Sequence, residues 1–381
     1  MSRFADRSGP IRLGMVGGGS GAFIGAVHRI AARLDGRFAL VAGALSSTPE
    51  RAQASGSEVG LAEDRIYHDY KAMAQREARL KDGIEAVAVV TPNHLHFPVA
   101  REFLKRGIHV ICDKPLTATM AEARKMARMV EASETLFVLT HNYTGYPLVR
   151  QARQMVARGD LGRLRVAQVE YPQDWMTDPA ALTTKQGEWR DDPARSGAGG
   201  ATGDIGTHAF NLLRFVTGQQ VEALSADLQS FGPGRRLDDN AHVLLRLADG
   251  ARGMLWCSQV APGHENGLRL RVFGDKGGLD WSQENPNRLM HTPVGAPTCI
   301  QTRAGPETET AGFTRLPPGH PEGFLEAFAN LYDKTADAIV ARRTGDTAPP
   351  DVPGIADGLE GMAFVAACIR SSERNAAWVP L

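Results

Sequence analysis

The chain has 381 residues, 43% hydrophobic and 23% charged, with Lys+Arg and Asp+Glu equal at 43 each. That size suits about two globular domains that need no disulfide staples. The balanced charge and the lack of any apolar run near the roughly 20 residues of a membrane span argue against nucleic-acid and membrane partners. The four cysteines, Cys112, Cys257, Cys299 and Cys368, are far apart, form no metal spacing and read as reduced thiols. Met1 to Pro10 carries no apolar leader core and no twin arginine. The expectation is a cytoplasmic protein without a metal centre.

Over the first 140 residues strand and helix signals alternate. Ile11–Val16 is a short apolar strand ending in glycines, Phe23–Leu34 has helical spacing, and Phe38–Leu45 is a second strand. Pro49–Val59 suits a helix capped by Ser46, Ser47 or Thr48. Ile84–Val90 is an unbroken apolar strand, followed by a helix over His94–Arg106 that Gly107 closes. Ile108–Cys112, Thr117–Ser133 and Leu136–Leu139 read as strand, helix and strand. This repetition predicts a doubly wound parallel α/β sheet of the Rossmann type.

After Thr140 the pattern changes. Pro147–Arg158 is a helix ending at Gly159. Strands follow at Leu164–Glu170, Val221–Leu228, Ala241–Leu247, Arg252–Ser258, Leu268–Phe273 and Gly278–Trp281. Many alternate apolar with polar residues, as an antiparallel sheet with one covered face does. Helices are expected at Asp204–Thr217, Pro321–Arg342 and Ile355–Ser372, and a long surface loop over Asn285–Pro318. The division predicted is a dinucleotide domain over residues 1–141 and an α+β domain over 142–381.

In an open parallel sheet, ligands sit beyond the carboxyl ends of the strands. Lys114 stands at such an end, and Pro115 stops the strand. Gly17-Gly18-Gly19 follows the first strand and precedes a helix, where backbone amides can approach a pyrophosphate. Gly17 and Gly19 fit the first two positions of the dinucleotide fingerprint. Gly25 is the third, so the turn is about three residues longer than usual. The second strand ends at Ser46, Ser47 and Thr48, with Arg51 beyond and no carboxylate to repel a 2′-phosphate. Hydroxyls and an arginine favour NADP over NAD.

Asp204, His208 and Asn211 are spaced i, i+4 and i+7 and share one helical stripe. Asp204 could also serve as a helix cap. A secondary alcohol gives up hydride and proton together, so the protein must position the carbon and accept the proton. Histidine titrates near neutral pH and can take the proton, and a lysine can stabilise the developing alkoxide. Asn142 and Tyr143 follow the last strand of the first domain. Asp174-Trp175 and Trp189-Arg190 lie in a polar stretch, and Trp with Arg suits the C–H faces and hydroxyls of a sugar. His320-Pro321-Glu322 reads as helix capping rather than catalysis.

The chain resembles the glucose-fructose oxidoreductase / inositol dehydrogenase / MocA-type oxidoreductases along nearly its whole length. Gly17-x-Gly19 with Gly25-Ala26-Val27-His28 resembles the nucleotide turn and first helix. Thr91-Pro92-Asn93-His94-Leu95-His96 is similar to a family loop after a sheet strand. Asp113-Lys114-Pro115 looks like the Glu-Lys-Pro signature, and Gly203-Asp204-Ile205-Gly206-Thr207-His208 like the second signature.

The resemblance implies a Rossmann domain followed by an α+β domain with a large, open, mostly antiparallel sheet that assembles dimers or tetramers. It implies hydride transfer between a nicotinamide and a sugar or cyclitol hydroxyl, with Lys114, Asp204 and His208 catalytic. It implies cofactor contacts from Thr91, Pro92, Asn93, His96, Asp113 and Lys114, besides Gly17, Gly19, Gly25, Ser46, Ser47 and Arg51. Asn142, Tyr143, Trp189, Arg190 and Asn211 are the candidate substrate residues. Asp113 replaces the signature glutamate, and Asn211 stands where inositol dehydrogenases often have Asp, which argues against simply copying an inositol substrate. Two alternatives remain: an aldose–lactone oxidoreductase with retained cofactor, and a non-catalytic dinucleotide-binding regulator.

Overall fold

The computed structural model describes residues 9–304, 310–346 and 350–381. The chain forms two compact units. One comprises the chain up to Thr117 with Ala121–Asn142 and Phe328–Leu359; the other comprises Ala118–Met120, Tyr143–Ala327 and Glu360–Leu381.

The first unit runs β1 Ile11–Gly17, α1 Phe23–Leu34, β2 Phe38–Ala44, α2 Pro49–Glu58, α3 Tyr70–Glu77, β3 Ala86–Val90, α4 His96–Leu104, β4 His109–Cys112, α5 Met120–Glu131 and β5 Phe137–Leu139. The sheet order is β2-β1-β3-β4-β5, and every pairing is parallel. This is the expected Rossmann sheet. Helices cover both faces, so β3 is buried along its whole length and reads Ala-Val-Ala-Val-Val rather than alternating. Successive strands depart to opposite sides of β1, and the switch point lies between β1 and β3.

The second unit contains α6 Pro147–Arg158, β6 Leu164–Pro172, α7 Lys185–Arg190, α8 Pro193–Ser196, α9 Thr207–Thr217, β7 Val221–Gln229, β8 Asn240–Leu247, β9 Arg252–Ser258, β10 Arg269–Gly274, β11 Gly277–Ser282, β12 Leu289–Pro293 and β13 Cys299–Gln301. Next come α10 Phe324–Arg343, α11 Ile355–Ser372 and β14 Val379–Pro380. The nine strands form one sheet, β13-β12-β11-β10-β6-β9-β8-β7-β14, antiparallel except for β6 with β9. Alternation sets its two faces. In β8, Ala241, Val243, Leu245 and Leu247 are buried while His242, Leu244 and Arg246 are exposed. The buried face packs beneath helices, where Phe210 of α9 stacks on Phe364 of α11 with ring centroids 4.4 Å apart.

Two expectations are corrected here. The stretch Asn285–Pro318 is not simply a loop: β12 and β13 extend the sheet edge, and Ala311–Phe313 makes a short 3-10 turn. Residues 305–309 of that stretch lie outside the described residues. Strands of three to five residues amid Pro, Thr and Gly are too short to display a period. The expected helix over Asp204–Thr217 also begins differently, with a π-turn over Thr202–Gly206 before α9.

From Phe328 onward α10 belongs to the first unit, where apolar and ionic contacts hold it. Its Asp333 and Asp337 accept from Arg37 at 2.7 and 2.8 Å, and Arg343 pairs with the buried Glu85 at 2.7 Å.

Candidate active site

The turn after β1 is shaped for close approach. Gly17 and Gly18 have φ of +80° and +68°, the left-handed region that favours glycine. A Cβ on Gly17 would meet the Val90 carbonyl oxygen at 2.2 Å, and one on Gly25 would meet the Gly18 carbonyl oxygen at 2.1 Å. Gly19 is closed in the same way by the Leu45 carbonyl and Ser55 Oγ, and that hydroxyl also accepts from the Ser20 amide at 3.1 Å. Four glycines and Ser55 thus form a cradle at the switch point, before the N-terminus of α1. Thr91, whose methyl lies beside Gly17, has its buried Oγ1 without a hydrogen-bond partner among the described residues, as do His94 Nδ1 and Asn142 Nδ2 elsewhere in the unit. A backbone cradle at a helix start, with the unsatisfied Thr91 hydroxyl beside it, fits a dinucleotide.

At the far rim, Ser46 is half-buried beyond β2 and its Oγ accepts from the Thr48 amide at 3.2 Å. Ser47 and Arg51 are exposed. Thr48 is the N-cap residue of α2 but makes no side-chain cap bond, so the expected hydroxyl cap is absent and Pro49 starts the helix.

The ends of β3 and β4 carry the next group. His96 places Nδ1 2.8 Å from the Pro115 carbonyl and Nε2 2.9 Å from the Thr91 carbonyl. The ring thus lies between the loop after β3 and the turn after β4, and in its neutral form its single N–H donates to one of the two carbonyls. Burial holds this imidazole below the usual histidine range, despite Asp113 and the two carbonyls. Asn93 is buried, and Pro92 and Lys114 are half-buried. Asp113 Oδ1 lies 2.9 Å from His28 Nε2 and accepts from Thr140 Oγ1 at 2.8 Å. Burial pushes this carboxyl up, but His28, Thr140 and His96 outweigh it and leave Asp113 below its ordinary value. His141 sits beside Lys114; burial first, and the lysine charge second, push it down to about 3.

In the second unit a carboxylate organises the signature helix. Asp238 Oδ1 accepts from the Gly200 amide at 2.6 Å, and Oδ2 from the Thr202 amide at 2.7 Å and the Thr202 hydroxyl at 2.6 Å. Its own carbonyl takes the Ala201 amide at 2.7 Å. Asp238 thereby clamps the residues just before the π-turn. Asp204 lies inside that turn rather than at a cap. Its Oδ2 accepts from Arg190 Nε at 3.2 Å and Gln259 Nε2 at 3.0 Å. The Arg190 guanidinium lies over Trp189 at 4.5 Å and Trp175 at 5.8 Å.

His208 and Asn211 are each 7% exposed. The His208 ring meets Tyr143 edge-on at 4.9 Å and lies 6.4 Å from Tyr171. The Tyr143 and Tyr171 hydroxyls bond to each other, and Tyr171 donates to Asn266 Oδ1 at 2.8 Å. Asn266 in turn donates to Gln283 Oε1 at 2.9 Å. Burial raises both phenols, so both are neutral hydroxyls at neutral pH. Asp204, Arg190, Trp189, Tyr143 and His208 therefore share one polar site in this unit. Asp174 is separate: its Oδ2 accepts from the Gly263 amide at 3.3 Å.

A model of an oxidoreductase family with an NAD-binding Rossmann fold matches residues 11–143, and one of the GFO/IDH/MocA C-terminal domain matches residues 149–280. The chain belongs to the GFO/IDH/MocA oxidoreductase family. An uncharacterized oxidoreductase of Bacillus subtilis is 34% identical, covering 98% of this chain and 97% of its own length. The structure of an oxidoreductase from Sinorhizobium meliloti shares 59% identity over 98% of this chain and 100% of its own, with a TM-score of 0.89. An inositol dehydrogenase homologue from Azotobacter vinelandii, complexed with NAD+, shares 36% identity over 100% of both chains with a TM-score of 0.95. That homologue is also described with NADH and myo-inositol.

Residues that carry no local signal stand beside the candidate residues of each unit: His141 in the first, and Tyr171, Asp238 and Asn266 in the second. His28 lay in a quoted motif, but its partners Asp113 and Tyr332 lie far along the chain, as do those of Tyr171, Asp238 and Asn266. Glu322 is buried and accepts from Arg303 and from the amides of Arg315 and Leu316, so it ties down the segment before α10.

Proposed function

We propose that this chain is an NAD(P)-dependent dehydrogenase that moves hydride between the nicotinamide and a secondary hydroxyl of a sugar or cyclitol. The observation that carries the proposal is Lys114 at the carboxyl end of β4, on the same edge of one parallel sheet as the glycine cradle after β1. The bound nicotinamide supplies the hydride acceptor or donor. Gly17, Gly19 and Gly25 admit the pyrophosphate to backbone amides, and the orphaned atoms of Thr91 and Asn142 offer further contacts. Ser46, Ser47 and Arg51 present hydroxyls and a cation where a carboxylate would exclude a 2′-phosphate, which supports NADP. The NAD+ complex of the Azotobacter homologue supports NAD.

His208 takes the hydroxyl proton as general base, and Lys114 stabilises the alkoxide charge and relays that proton. Asp204, held by Arg190 and Gln259, orients neighbouring hydroxyls. Because Arg190 is paired with Asp204 and stacked on Trp189, its charge is balanced, and the pocket suits a neutral polyol rather than a phosphate ester. Trp189 presents an aromatic face to ring C–H bonds, and Tyr143 and Asn211 supply polar contacts. The nine-stranded sheet, open on one face, suits assembly into dimers or tetramers, and balanced charge suits a cytoplasmic enzyme.

The test is a panel of polyols and sugars, free and phosphorylated, with NAD and NADP side by side. Turnover of a neutral polyol is expected, with Lys114→Ala and His208→Ala each cutting kcat at least a hundredfold. If both variants keep wild-type turnover, the catalytic assignment is wrong. Tight dinucleotide binding without turnover of any member would instead indicate a regulator.

A further inference from the structure

Asp113 is the residue at which this chain departs from the family's Glu-Lys-Pro signature, and a chain of partners within the first unit holds its carboxylate. His28 projects from α1 with no measurable exposure. Its Nε2 lies 2.9 Å from Asp113 Oδ1 and its Nδ1 2.7 Å from the Tyr332 hydroxyl of α10. An ionised carboxylate can only accept, so Nε2–H donates to Asp113 and Nδ1 accepts from the tyrosine. Burial raises the Tyr332 phenol well above its ordinary value, which keeps it a donor. The ring is also wedged edge-on between Phe328 at 4.7 Å and Tyr332 at 5.9 Å. Thr140 Oγ1 adds a second donor to the same oxygen. Oδ1 thus takes two donors, while Oδ2 makes no hydrogen bond among the described residues.

We infer that His28 and Tyr332 are positioning residues for the nicotinamide end of the site: they lock the Asp113 carboxylate so that Oδ2 is held ready for a ligand hydroxyl beside Lys114. The inference rests on the dinucleotide reading of this sheet edge. With its second nitrogen on Tyr332 and its ring against Phe328, His28 is fixed on the side away from Asp113, so its contact with Oδ1 fixes that oxygen in turn. This parallels the way an outer carboxylate–histidine contact fixes a working ligand elsewhere. It also makes α10, 304 residues further along the chain, part of the cofactor site.

The experiment measures dinucleotide affinity by reduced-nicotinamide fluorescence, together with the melting temperature of the unliganded protein, for Tyr332→Phe, His28→Leu and the double variant. Expected are weaker binding by about threefold for Tyr332→Phe and about tenfold for His28→Leu. The double variant should be no weaker than His28→Leu alone, because the tyrosine acts through the histidine. Unchanged affinity in Tyr332→Phe, or losses that simply multiply, would overturn the inference. Tyr332→Phe removes a single oxygen and carries the test by itself if His28→Leu does not fold. Should the wild-type protein bind neither NAD(H) nor NADP(H), the dinucleotide reading fails, and this outcome is distinct from equal binding by wild type and variants.

Discussion

Mild acid should loosen the first unit before its carboxylates begin to titrate, because two buried histidines there must stay neutral. His109 is 7% exposed, and its Nδ1 accepts the Leu136 amide at 2.9 Å, so that nitrogen cannot carry a proton while the bond exists. Burial, with the charges of Arg342 and Arg343, pushes it down to about 4. His141 is 2% exposed, and burial with Lys114 pushes it to about 3. In the unfolded chain both titrate near 6.5. Below that pH the unfolded state binds more protons than the folded one, so stability falls as pH falls. Above about pH 7 neither group contributes a slope. From pH 7.5 to 5 each costs about 2 kcal/mol, and the two together about 4 kcal/mol. That is a large fraction of a domain's usual stability of about 5–15 kcal/mol. The His109 contribution levels off near pH 4, where the folded state also takes up the proton. All five tryptophans, at 175, 189, 256, 281 and 378, belong to the second unit, so their fluorescence would miss the effect. The assay is amide exchange of β3, β4 and β5 peptides across a urea series at pH 7.5, 6 and 5. His109→Gln should remove about 2 kcal/mol of that loss. A midpoint that does not move between pH 7.5 and 5 would refute the reasoning.

Gly25→Ala puts a methyl group within 2.1 Å of the Gly18 carbonyl oxygen, where only backbone can yield. The overpacking cost of about 1–3 kcal/mol is offset by about 1 kcal/mol of helix propensity, so melting should change little while dinucleotide affinity drops more than tenfold; unchanged affinity in a fluorescence titration would contradict the cradle. Asp238→Asn turns an acceptor into a donor facing the Thr202 amide and hydroxyl or the Gly200 amide. It should destabilise by about 1–3 kcal/mol and lower kcat at little change in KM, as the turn carrying Asp204 and His208 shifts; full kcat in a folded variant would remove Asp238 from the positioning role.

Much of the fold was legible because its signals are local. Pro147 at the first turn and Gly159 at the end mark α6 to the residue; Gly159 has a φ of +81°. The unbroken apolar run of β3 announced a strand covered on both faces, and the alternation in β8 one covered on a single face. The candidate site residues with motif spacing, Gly17, Gly19, Gly25, Lys114, Asp204 and His208, could likewise be singled out, since each needs only its neighbours for that. The edge strands β12 and β13 were not visible, because three to five residues cannot declare a period and their pairing comes from the strand beside them.

Sequence by itself determined the strand–helix alternation, the glycine turn and the two signatures, all consequences of chemistry within a turn or two of the chain. Tertiary structure alone decided what those residues lean on: Tyr332 behind His28, His28 behind Asp113, Asp238 beneath the signature helix, Arg190 against Asp204. Such pairings are chosen by burial. A buried donor or carboxylate must find a partner wherever the fold supplies one, and that partner can stand 304 residues away.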